Sequence, residues 1–132
     1  MLEILRLWSW AFALTLGLEQ LFLLVAAAWD KRKQVAYADS RWVVRWAAAV
    51  CFANVCTHPA VWFILPELRE ALGWSRATYL LLSETWAFGA EALLYWLVFP
   101  TLGLRRCLLR AALANLVSWQ LGQWILEWLG KY

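Results

Sequence analysis

The chain of 132 residues contains a single histidine, His58. One histidine excludes a histidine metal triad or a pair of haem-ligating histidines within one copy of the chain. H-E-x-x-H, G-x-S-x-G and the phosphate-binding loop are all missing, so no standard hydrolytic or nucleotide-binding signature supports a catalytic residue. Charge is scarce: 16% of residues are charged and the net charge is +3. So small a positive balance fits cytoplasmic loops of a membrane protein and does not call for nucleic acid as a partner. The three cysteines, Cys51, Cys56 and Cys107, are odd in number and form no C-x-x-C pair. They read as small apolar packing residues and say little about redox compartment. Strand-like alternation is absent, which argues against a β-barrel.

What the chain has is apolar length. Hydrophobic residues make up 64% of it and the mean hydropathy is +0.59, against about 45–50% apolar in a soluble domain. Twelve tryptophans are present, and tryptophan concentrates at membrane interfaces, where its ring is apolar and its N–H needs a partner. Four hydrophobic runs are expected to span a bilayer, at about 4–29, 42–66, 77–99 and 107–129. Each reaches the ~20 residues that a helix needs to cross the hydrocarbon. Ala26-Ala27-Ala28 looks like a signal-peptide cleavage site, but Glu3 offsets Arg6 ahead of the run and the run is too long. The first run is therefore expected to be a retained span.

Short connections make successive helices antiparallel neighbours. The expected fold is all-α: a single-domain, integral membrane four-helix up-and-down bundle, its second helix kinked at Pro59. A loop is expected over 67–76 with Gly73 as the breaker, and Pro100 is expected to end the third helix. The loop side after the first and third spans holds eight Lys and Arg residues, against four on the other side. The positive-inside bias then places both termini on the non-cytoplasmic side, in what reads as a bacterial inner membrane.

Inside the apolar runs lie polar residues that are expensive at that depth. The second run carries Asn54, Thr57, His58 and Pro59; the others carry Glu19, Glu84, Glu91, Asn115 and Ser118. Counting inward from the outer ends, with direction alternating, puts Glu19, Asn54, Glu91, Asn115 and Ser118 in one mid-membrane layer. His58, Glu84 and Gln123 form a second layer nearer the outside. Asn54 and His58 are i,i+4; Glu84 and Glu91 are i,i+7; Asn115, Ser118 and Gly122 are i,i+3,i+7, so each set shares a helix face. No Lys or Arg lies at the depth of the three glutamates, and His58 supplies at most one positive charge. Either some carboxyls are protonated, because desolvation penalises charge, or a cation or a partner neutralises them.

Two readings of this polar set stand side by side. As a site, Glu19, Asn54, His58, Glu84, Glu91 and Asn115 would bind a cation or relay protons. Any metal ion would fall to His58, Glu84 and Glu91, a carboxylate-rich set. As structure, the same residues would be interhelical hydrogen bonds, worth about 1 kcal/mol or less each. Pro59 leaves the Val55 carbonyl without its usual donor, which is either a packing kink or an extra oxygen ligand. The leading expectation is a small polytopic membrane protein that binds or conducts a cation, proton or metal ion, surrounded by lipid and assembled as a homo-oligomer. The alternative is an accessory or assembly subunit of a larger membrane complex. A third is a membrane enzyme using the His–carboxylate set as acid and base on a lipid-like substrate.

Overall fold

The computed structural model describes residues 2–32, 41–128 and 130. Of these, 94% are helical and none lies in a strand, as the lack of alternation requires. Helix α1 runs over Leu2–Arg32. Helix α2, Trp42–Pro59, passes into a π-helical turn, Ala60–Ile64, and on into α3, Leu65–Leu72, without a break. Helix α4 covers Arg76–Val98. A 3₁₀ turn at Pro100–Leu102 leads into α5, Leu104–Trp128. With α2, the π turn and α3 taken as one run, the described residues make four helices.

The π turn follows from two prolines. Pro59 has no N–H and its ring crowds the carbonyl one turn back, and the helix widens just after it. Within the turn the Leu65 N–H bonds to the Ala60 carbonyl. That leaves the Val61 carbonyl short, because its next possible donor is Pro66, which has no N–H. The Tyr79 hydroxyl of α4 fills the place, donating to the Val61 carbonyl at 3.3 Å.

The expected loop over 67–76 is mostly helix. Helix α3 continues past Pro66 to Leu72 because Pro66 stands in its first turn, where the fixed φ of proline suits a helix and the one carbonyl it leaves short, that of Val61, takes the Tyr79 hydroxyl instead. Gly73 then stops it in the left-handed region, at φ 64°. The Trp74 N–H bonds to the Arg69 carbonyl and the Gly73 N–H to the Glu70 carbonyl, the paired closure that suits glycine at this position. Ser75 opens α4 by accepting the Thr78 N–H at 3.1 Å.

The chain divides into two compact units, one of residues 1–52 with 113–132, the other of residues 53–112. In the first, Ser118 and Gly122 of α5 lie against Glu19 and Leu14 of α1. A Cβ added to buried Gly122 would lie 3.8 Å from Leu14 Cδ2, an ordinary contact distance. The Gln20 side chain of α1 donates to the Ala47 carbonyl of α2 at 2.7 Å. In the second unit the buried residues include Ala92, Tyr95, Phe99, Leu102, Cys107 and Ala111.

Burial follows i+4 rows. In α1 the row is Ala11, Glu19, Leu23 and Ala27, with half-buried Thr15 completing it. In α4 it is Ser83, Glu91 and Tyr95, with half-buried Ala87, and Phe99 at the cap extends it. In α5 it is Ser118, Gly122 and Leu126, preceded by Ala114. Such rows are inclined to the helix axis and form the ridges by which helices pack.

Candidate functional site

Two glutamates stand on these ridges, and each is fully enclosed: Glu19 is 0% and Glu91 2% exposed. Carboxyl side chains are almost never so buried unless paired. In the first unit Ser118 Oγ of α5 donates to Glu19 Oε1 of α1 at 3.0 Å, and it lies 3.1 Å from the Asn115 carbonyl. In the second unit Thr57 Oγ1 of α2 donates to Glu91 Oε1 of α4 at 3.3 Å, and it lies 3.0 Å from the Ala53 carbonyl. The two sites are built from different helices and share one plan. Each has a glutamate, a hydroxyl from another helix, and the backbone carbonyl one turn before that hydroxyl.

Thr57 meets Glu91 because the second helical run continues past its apolar stretch to Leu72. Measured from Leu72, Thr57 lies fifteen residues in (72 less 57). Measured from Arg76, Glu91 also lies fifteen residues in (91 less 76). Counted from Pro66, the residue expected level with Glu91 is Asn54. Asn54 is itself buried, one turn before Thr57, and Asn115 is half-buried one turn before Ser118.

The outer residues are arranged differently from expectation. Glu84 is exposed. It is i,i+7 with Glu91, but the buried row of α4 runs i+4 through Ser83, and Glu84 falls off that inclined ridge. His58 is half-buried and its ring stacks on Trp62, with centroids 6.2 Å apart and planes at 13°. Among the described residues no three His, Cys, Asp or Glu side chains gather as a metal site would need. The set of His58, Glu84 and Glu91 is thus not assembled as a metal centre, because its three members lie in three different surroundings. Ser83 was not anticipated as a buried group. It is 3% exposed and its Oγ makes no hydrogen bond; its i+8 spacing to Glu91 was the signal in the sequence.

The second unit also carries an apolar groove of about 540 Å³, lined by Leu65, Trp74, Leu82, Trp86, Ala90 and Leu93 among others. Among the described residues two helical runs, Leu2–Trp29 and Trp42–Leu72, are long and apolar enough to cross a membrane. No family model, curated protein or solved structure matches this chain.

Proposed function

We propose that the protein is a four-span membrane protein that binds or conducts a cation at its enclosed carboxyl groups, Glu19 and Glu91. The observation that carries this reading is the twofold occurrence of a buried glutamate bonded by a hydroxyl from a neighbouring helix. Intramembrane ionisable groups mark ion and proton paths by default, and here two of them have the same surroundings. Lipid around the chain is supported by its outward faces. Leu21 is 63%, Leu81 68% and Leu97 66% exposed, while glutamate and serine lie inside. That is the reverse of a soluble helical protein, where large exposed apolar patches are few.

In this reading Glu19 and Glu91 carry the exchangeable charge. Thr57 and Ser118 orient them, and Asn54 and Asn115 stand one turn away as further polar groups. His58 is a relay candidate beside Trp62, and Glu84, being exposed, has no part. The Lys and Arg distribution supports termini on the non-cytoplasmic side. The second reading, a subunit of a larger membrane complex, is favoured by the apolar groove along α4. Native mass measurement in mild detergent with metal analysis separates the two. A bound metal ion, or a homo-oligomer free of other chains, supports cation binding by this protein. Stoichiometric retention of a different protein chain supports the subunit reading.

A further inference from the structure

A hydroxyl group carries one proton, and at both carboxyls that proton has two acceptors within reach. Thr57 Oγ1 is 3.0 Å from the Ala53 carbonyl and 3.3 Å from Glu91 Oε1. Ser118 Oγ is 3.1 Å from the Asn115 carbonyl and 3.0 Å from Glu19 Oε1. Serine and threonine commonly bond back to a carbonyl on the preceding turn, so the hydroxyl proton already has an ordinary place there. The approach of a carboxyl oxygen then needs a proton of its own. A proton on the carboxyl satisfies both of these hydroxyl contacts: the acid donates to the hydroxyl and the hydroxyl donates to the backbone carbonyl. The arrangement is built separately in the two units, once with the carbonyl four residues back and once with it three residues back. All four side chains are at most 4% exposed.

We propose that Glu91–Thr57 and Glu19–Ser118 are two proton-binding sites in which the hydroxyl acts as a rotor between the acid and the backbone carbonyl. With the acid protonated, the hydroxyl accepts from it and donates to the Ala53 or Asn115 carbonyl. When the proton leaves, the hydroxyl turns and donates to the carboxylate. Only the carboxyl O–H bond breaks, and its proton passes to a water molecule admitted to the site. The hydroxyl keeps its own proton and changes only its acceptor. Thr57 and Ser118 are therefore positioning residues. The proposal rests on the cation-binding reading and identifies the cation as a proton. Other titratable groups stand on the same helices within the second unit: Cys56 and His58 on α2, Glu84 and Tyr95 on α4, Cys107 and Arg110 on α5.

Infrared difference spectroscopy on the full chain in lipid tests this directly. The Glu91 signal is assigned by its loss in Glu91→Gln, and exposed Glu84 is removed from the spectrum by Glu84→Gln. The proposal predicts a protonated carboxyl stretch for Glu91 that responds to deuterium. Thr57→Val, which keeps the side-chain shape, should move that band to the higher frequency of a weakly bonded acid, and Thr57→Ser should return it. Carboxylate bands alone at Glu91, or a band unmoved by Thr57→Val, would overturn the rotor. Should Thr57→Val fail to fold, Ser118→Ala read at the Glu19 band decides on the same criteria. Loss of cation uptake with these band shifts intact would remove the transport reading alone. Carboxylate-only spectra with metal uptake preserved would remove the proton sites alone.

Discussion

Ser118→Ala is the sharpest probe of whether the enclosed carboxyls are held by their hydroxyls. The bond it deletes is 3.0 Å long and both partners are buried. Removing the hydroxyl leaves Glu19 Oε1 without that partner in a buried site. A bond between neutral groups inside a membrane bundle averages about 0.6 kcal/mol and reaches about 1.7 kcal/mol. A bond to a charged group is worth about 1.5–3 kcal/mol. The double-mutant cycle should use Glu19→Leu as the second change, because glutamine would keep an acceptor for Ser118 and spoil the cycle. A neutral acid bonded through its proton predicts a coupling of about 0.6–1.7 kcal/mol. Ser118→Ala should then cost about 1 kcal/mol in the native background and next to nothing in the Glu19→Leu background. Reversible unfolding in mixed micelles, followed by far-ultraviolet circular dichroism, gives the four free energies. A coupling indistinguishable from zero would refute the pairing. One near the top of the charged range would refute the neutral acid.

Further predictions follow from the local geometry. Gly122→Ala should be tolerated, because the added methyl meets Leu14 at 3.8 Å. Gly122→Leu should cost about 1–3 kcal/mol in the same unfolding assay by forcing α5 off α1, and it should weaken the Ser118–Glu19 coupling. Tyr79→Phe removes the hydroxyl that donates to the Val61 carbonyl and should cost about 1 kcal/mol, with faster amide exchange across the π turn. Gly73→Val places a β-branched residue at φ 64° and should destabilise the α3–α4 turn by about 1–2 kcal/mol.

Much of the helical layout could be read from apolar run lengths and from proline and glycine. Pro100 does follow the end of α4, with Phe99 as its cap, because proline cannot continue a helix. Glu19, Glu91, Asn54 and Ser118 were legible as interior residues, since polar groups in long apolar runs must turn inward. Thr57 as the partner of Glu91 was not legible. Its depth depends on where the helix ends, and Pro66 reads as that end in the sequence although a proline in the first turn of α3 does not stop the helix. Glu84 was misplaced for a different reason. The i,i+7 rule assumes a buried face parallel to the helix axis, whereas the ridges here run obliquely through every fourth residue. Residues 33–40, which carry part of the charge asymmetry, lie outside the described residues, as does Leu129 at the expected end of the fourth span.

The measurement that bears most directly on the central claim is cation uptake by reconstituted protein. Wild-type chain and the Glu19→Gln/Glu91→Gln double variant are placed in lipid vesicles of the same composition and density. Proton and metal-ion uptake are followed, both as retained cation and as discharge of an imposed gradient. Glutamine keeps the size and hydrogen-bonding capacity of each side chain while removing the exchangeable proton and the charge. The account predicts uptake by the wild-type chain that the double variant loses while its helical content is unchanged. Equal uptake by the two proteins would contradict it and reduce both glutamate–hydroxyl pairs to interhelical contacts.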